Sequence, residues 1–301
     1  MRTGSIPATN GRGYANGPVT KAPNWHGLVA WDLLLNNLTT GLFLVAATGD
    51  LAAPEVFTPA AKAAYPIALV FLLADLLCLV LDLGDPLRFH HMLRVFKPGS
   101  PMSFGTWCLT IYSLPLTVAA ALSLLPEGGM TLEWVRRTAV VLDLLPALGS
   151  AVYKGVLLST NAQPGWRDAR WLGGYLTNSA LMLGCAEMLA LSVLMGQESA
   201  ATALRTALGL LLMLNVIPLG LLLADLRPVL ARIYTREQLW RVGIIALGGG
   251  TLLPLCLVFV GGSPPFMLGA GIFILLGSLT IRFQIVRIPH ASARAREQGE
   301  V

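Results

Sequence analysis

The chain is 301 residues long, 55% hydrophobic and only 12% charged, with a mean hydropathy of +0.67. Soluble domains carry about 25% charged residues, so a water-soluble protein is excluded, and repeated apolar runs of about 20 residues indicate an all-α, polytopic integral membrane protein. The net charge of +5 does not point to nucleic acid, because the basic residues fall between apolar runs, where they orient a membrane protein.

In chain order, Met1–Lys21 is rich in Gly, Asn and Thr and has no apolar core, so no cleavable signal peptide is expected. Residues 1–26 read as a polar N-terminal segment. Eight spans follow, at about 28–49, 64–82, 104–125, 139–159, 172–195, 204–224, 242–260 and 265–284. They make up an eight-helix transmembrane domain over 27–286, followed by a tail over 287–301. The short links predict antiparallel neighbours arranged as two four-helix bundles. Gly261–Pro265 forms a tight turn, and Asn215 with Pro218 is expected to kink the sixth span.

With eight spans, both termini share one side with the loops after spans two, four and six. That side carries 17 of the 21 basic residues, counting Lys154 and Arg282 as span-end charges. The other side keeps Lys62, Arg136, Arg137 and Arg205. The positive-inside rule then places both termini and the loop Asp82–Gly105 in the cytoplasm.

Several ionisable or polar residues fall within the spans, where charge is costly and therefore suggests function. Asp32 and Asn36 share one face of span one at the i, i+4 spacing. Asp75 lies in span two, Asp143 and Lys154 in span four, Asn178 and Glu187 in span five. Tyr112, Tyr153 and Tyr175 add phenolic hydroxyls. Plainer readings stand beside the functional ones. Lys154 can snorkel to the surface, Asp32 can pair with an arginine at a helix end, and Asp75 can be a neutral, hydrogen-bonded acid. Taken together, Asp32, Asn36, Asp75, Asp143 and Glu187 are candidates for a partial proton route.

Cys78, Cys108, Cys185 and Cys256 all lie in apolar runs without a CxxC pair, which reads as core packing rather than a metal site. None of the histidines, His26, His90, His91 and His290, falls in mid-span. No pair of intramembrane haem ligands is therefore expected, and neither haem nor an iron–sulfur cluster is assigned to this chain.

Two motifs carry a resemblance. The first is DLGDPLRF followed by KPGSPMSFGTW, with Asp82, Gly84, Pro86, Arg88, Pro98, Ser100, Pro101, Met102, Ser103 and Gly105 in matching places. The second is YKGVLLSTNAQPGW, with Tyr153, Gly155, Leu157, Leu158, Ser159, Pro164 and Trp166. In these the chain resembles the NrfD/PsrC family, the membrane subunits of respiratory molybdenum or tungsten oxidoreductases. It departs from the family at Asp85, where arginine is common.

The resemblance implies a quinone-reactive subunit that exchanges electrons between the membrane quinone pool (menaquinone or ubiquinone) and a docked four-cluster-type iron–sulfur subunit. That partner would serve a molybdopterin catalytic subunit, so the primary substrate is turned over elsewhere. By the same resemblance the quinone site involves His26, Asp32 and Tyr153. An acid at Asp32 is itself a departure, since Asn or His is usual nearby. Arg88, Lys154 and Arg167 are candidates for positioning or docking, and the loops Lys97–Ser103 and Gln163–Trp171 are the expected landing surface. With the motif loops in the cytoplasm of a bacterium or archaeon, the assembly would be a cytoplasm-facing enzyme of the cytoplasmic membrane. A proton-translocating module of a respiratory complex is the alternative. A secondary transporter is disfavoured, because no clear inverted repeat is visible.

Overall fold

The computed structural model describes residues 25, 27–126, 129–261 and 263–297, the side chains of 296 and 297 excepted. The polar N-terminal segment before Trp25, and His26, lie outside the described residues. Eight helices long and apolar enough to cross a membrane occupy the remainder. They are α1 (Gly27–Ala52), α2 (Pro54–Leu81), α3 (Pro101–Leu124), α4 (Met130–Ser159), α5 (Leu172–Leu194), α6 (Glu198–Ile233), α7 (Arg236–Val260) and α8 (Pro264–Glu297).

Most of these helices exceed the expected spans, for identifiable reasons. Proline is welcome in the first turn, where its missing N–H is not needed, and Pro54, Pro101 and Pro264 all start helices. Pro59, Pro66, Pro115, Pro146, Pro218, Pro228 and Pro289 lie inside helices that continue through them. Neighbouring helices in a bilayer shelter the freed carbonyls and make such prolines tolerable. α2 therefore begins ten residues before the expected start at 64. α6 runs on through Pro218 for 36 residues, about 54 Å at 1.5 Å per residue. α7 opens with a capping box between Thr235 and Gln238 and carries a π-helical stretch, Ile244–Leu252.

α1 packs against α2, α4 and α5, while α3 closes a ring with α2 and α4; α5 to α8 close a second ring. α1 and α5 are the most buried helices and form the seam between the rings. Their backbones touch because Gly41 faces Ala180 and Gly184. A Cβ on Gly41 or on Gly184 would fall inside the other helix's backbone. Small residues spaced by four create this kind of close crossing in membranes.

The far end of the first ring is held by charge. Asp50 is fully buried and accepts two bonds from Arg136, at 2.5 and 3.3 Å, one from Tyr65 at 2.9 Å and one from Thr58 at 2.6 Å. Glu133 then accepts from Arg136 at 2.6 Å and from Arg137 at 2.9 Å. Arg136, counted above as a loop charge, is therefore an interior ion-pair partner. Lys154 and Arg282, both counted as span-end charges, are also buried. The cysteines are free, and Cys256 lies on the exposed face rather than in the core.

Gly184→Val should disrupt the α1–α5 seam by more than the ~1–3 kcal/mol typical of overpacking, because backbone rather than side chain lies in the way. Thermal unfolding of the detergent-solubilised protein should show a clear drop in midpoint. Gly174→Ala on the same helix, where the new Cβ meets only the Trp171 ring at 3.6 Å, should change little.

Candidate functional site

The first motif forms a folded cover. After α2, Pro86 starts a 3-10 helix over Pro86–Leu93. Arg88 turns back on Asp85, with Nε 3.0 Å from Oδ2. Ser103 Oγ donates to the Val95 carbonyl at 3.1 Å and accepts from the Lys97 N–H at 3.0 Å. Ser100 caps α3 by accepting from the Ser103 N–H at 3.5 Å. The motif serines thus satisfy backbone groups that helix start and turn would otherwise leave unpaired.

The second motif is pinned from within. Gly165 has φ +83, a left-handed conformation that favours glycine. It sets Trp166 into the interior, where Nε1 donates to the Ile285 carbonyl at 2.7 Å and the ring stacks on Trp25 at 5.4 Å. His290 of α8 meets the Trp25 carbonyl at 2.7 Å. The loop after α4, Trp25 two residues before α1, and the end of α8 are thereby tied together.

Beneath these two loops lies a cavity of about 270 Å³, at the small end of the ~300–1,000 Å³ usual for ligand sites. Its walls are largely apolar, including Leu76, Leu79, Leu109 and Leu157, and Phe89 and Met92 reach it from the 3-10 helix. Asp32, Tyr153 and Lys154 line one side of it, Thr106, Thr110 and Ser113 line it from α3, and Asp82 lines it from the end of α2. Among the described residues the Tyr153 hydroxyl has no hydrogen-bond partner. The Tyr153 ring occupies the space a Cβ on Gly105 would need, so the glycine of the first motif makes room for the tyrosine of the second. On the next turn, a Cβ on Gly155 would strike the Gly173 backbone of α5.

Behind the wall, Lys154 Nζ lies 2.8 Å from Asp32 Oδ1, 2.6 Å from Asp75 Oδ1 and 3.1 Å from the Asp32 carbonyl. Nζ donates to Asp75 Oδ1 and to the Asp32 carbonyl, while Asp32 Oδ1 is an ion-pair contact without a hydrogen bond. Asn36 donates to Ser150 at 2.9 Å and, more weakly, to the second oxygen of Asp75 at 3.4 Å. Lys154 does not snorkel. Asp32 pairs with this lysine rather than with an arginine, and Asp75 is buried beside an ammonium. Two carboxylates share one cation, so the cluster is electrically neutral when it holds one proton on a carboxyl.

The sequence-predicted residues divide cleanly. Asp32, Tyr153 and Lys154 meet at the cavity, with Asn36 and Asp75 one layer behind. Arg88 and Arg167 are exposed (73% and 64% of the side chain) and do not line it. Asp143 is buried with neither oxygen hydrogen-bonded among the described residues, and one oxygen of Glu187 is likewise unpaired. No hydrogen bond joins either to the Lys154 cluster among the described residues. Sequence reasoning missed Trp25, Phe89 and Met92, and also Thr106, Thr110 and Ser113, which face the cavity from α3. The i, i+4, i+7 spacing of those three hydroxyls was a legible signal.

A second buried network was also missed. Arg282 donates to Ser278 (hydroxyl and carbonyl), to Asn37 at 2.9 Å and to Ser179 at 3.2 Å. It joins α8 to α1 and α5 without a carboxylate partner among the described residues.

A protein-family model described as polysulfide reductase, of the NrfD type, matches residues 18–294. No individually curated protein matches the chain.

Removing one partner of a buried ion pair typically costs ~3–5 kcal/mol, so Lys154→Met should sharply lower the thermal midpoint. Adding Asp75→Leu should recover part of that loss by removing the stranded carboxylate. The comparison is a thermal-unfolding series on single and double variants.

Proposed function

Because the chain belongs to the polysulfide reductase (NrfD-type) family of oxidoreductase membrane subunits, we propose that the cavity beneath the motif loops is its quinone site. Electrons would pass between a quinone there and an iron–sulfur subunit docked on the same face, which in turn serves a molybdopterin subunit. The observation that carries this reading is the placement of a free tyrosine hydroxyl and an ion-paired carboxylate side by side in the wall of a largely apolar cavity. The hydroxyl can donate to a quinone carbonyl, and the carboxylate can take the proton of a quinol hydroxyl.

A bound quinone supplies the two-electron, two-proton chemistry. Tyr153 would hold it by donating its unengaged hydroxyl to a carbonyl oxygen. Asp32, whose side chain is 13% exposed, is the proton-exchanging group at the wall. Lys154 holds that carboxylate in place, and Asp75 balances the lysine, so a proton gained or lost at Asp32 changes the cluster charge by one without stranding a lone ion in hydrocarbon. The cavity's leucines give the rest of that space an apolar lining. Arg88, Arg167 and the loop Gln163–Trp171 lie outside the cavity, and Lys97–Ser103 reaches it through Met102 alone; these segments suit docking rather than quinone contact. Asp143 and Glu187 are the residues a proton-translocating role would use, and their separation from the Lys154 cluster makes that the weaker reading.

Purified with its partner subunits, the protein should retain extractable quinone and support quinone-linked turnover. Asp32→Asn should lower kcat by ~10²-fold or more, the range for loss of a general acid–base group. Tyr153→Phe should chiefly raise the quinone KM, by ~10-fold, as loss of one hydrogen bond of about 1.4 kcal/mol implies. Unchanged turnover and quinone content in both variants would remove the cavity from the reaction.

The excess of basic residues on the motif side supports a cytoplasmic location for both termini. A C-terminal reporter active only in the cytoplasm should therefore give signal. Activity of an exported reporter at that terminus would reverse the orientation.

A further inference from the structure

The second ring contains a larger cavity, of about 1300 Å³, between the motif-side halves of α6, α7 and α8. Its origin lies in α7. Gly250 and Gly277 bring the backbones of α7 and α8 into contact, at the end of the π-helical stretch Ile244–Leu252. The first two turns of α7, Arg236–Gly243, pack closely on neither α6 nor α8. A crevice opens above the glycine contact.

The lining changes character with depth. Four arginines, Arg227, Arg241, Arg287 and Arg294, line the cavity, and no carboxylate does. Arg241 is paired with Glu237 outside it at 2.6 Å. Arg227, Arg287 and Arg294 have no ion-pair partner among the described residues. Arg227 lies six residues before the end of α6 and Arg241 five residues into α7, so each is within about 10 Å of the helix ends at 1.5 Å per residue. Exposed Trp240 lies at the same level, where tryptophan marks the membrane interface. Leu219 and Leu222 of α6, Leu247 of α7 and Ile281 of α8 line the deeper part. Ile244 and Ile245 beside it are exposed, as lipid-facing residues are.

We propose that this crevice is a binding site for an anionic phospholipid. Its phosphate is held by Arg227, Arg287 and Arg294, and its acyl chains lie along the leucine and isoleucine wall. Guanidinium groups bind phosphate oxygens in a fork, and basic pockets between transmembrane helices select anionic headgroups. The chain's own N-terminal segment is an unsuitable occupant, because residues 1–24 contain Arg2, Arg12 and Lys21 and no acidic residue. The site lies in the ring opposite the Lys154 cluster and is independent of the quinone reading.

The test is native mass spectrometry of the full chain after equilibration in nanodiscs of equal phosphatidylglycerol and phosphatidylcholine. The wild-type protein should retain phosphatidylglycerol over phosphatidylcholine by about tenfold or more. Arg227→Gln/Arg287→Gln/Arg294→Gln should abolish that preference. A control with as many charges removed elsewhere, Arg94→Gln/Lys97→Gln/Arg170→Gln, should keep it. Ala231→Trp/Ala291→Trp fills the crevice with every arginine retained and should also lose the lipid, so the test survives if the triple variant does not fold. Equal retention of both lipids by the wild type would overturn the proposal. So would a preference that survives the tryptophan variant, or that falls equally in the charge control. Capture of a partner polypeptide by a photocrosslinker at Ala231, with no lipid retained, would also overturn it and assign the crevice to a protein contact.

Discussion

Lys154 is the group on which the first four helices depend. An ammonium within a bilayer imposes two demands, counter-charge and hydrogen-bond acceptors. Asp32, Asp75 and the Asp32 carbonyl meet them from α1 and α2, while the lysine itself comes from α4. Three helices are therefore fixed in rotation and height at the motif-side end. Asp50, Tyr65 and Arg136 perform the same service for the same three helices at the opposite end. α3 completes the ring and adds a wall of hydroxyls. The cavity sits where the first of these clusters meets the motif loops, so two of the residues that anchor these helices, Asp32 and Lys154, also line it.

The two sequence motifs find their physical explanation in each other. Gly105 is small because the Tyr153 ring lies against it, and Gly155 is small because α5 passes at the level of Gly173. Gly165 turns the chain so that Trp166 can stack on Trp25 and bond to α8. Serines 100 and 103 close the turn before α3. Of the motif residues, Tyr153 reaches the cavity with a free polar group, and most of the others build the frame that keeps it there.

The second ring uses a different chemistry. Its buried cation, Arg282, is surrounded by hydroxyls and an amide rather than carboxylates. Nearby Asn178 bonds to Asn215, which bonds to Thr251, at 3.0 and 3.1 Å. This network is suited to holding α5 through α8 and the α1 seam in place. It offers no carboxylate for proton exchange beside a ligand cavity.

The sequence by itself determined the membrane class, the eight spans, the two motif loops on one side and the candidacy of Asp32 and Asp75, because hydropathy, proline punctuation and rare intramembrane charges are local properties; the role expected of Tyr153 came from the family resemblance of its motif. It misjudged the helix ends, since proline looks like a breaker until neighbouring helices shelter the carbonyls it frees. It also counted Arg136 and Arg282 as surface charges and left open whether Lys154 snorkels. Whether a basic residue near a span end snorkels or turns inward depends on acids and amides delivered by other helices, for Lys154 from 79 and 122 positions away. Only the tertiary structure decided that pairing, and with it which polar residues share one cavity, because an ion in hydrocarbon goes where its counter-charge is.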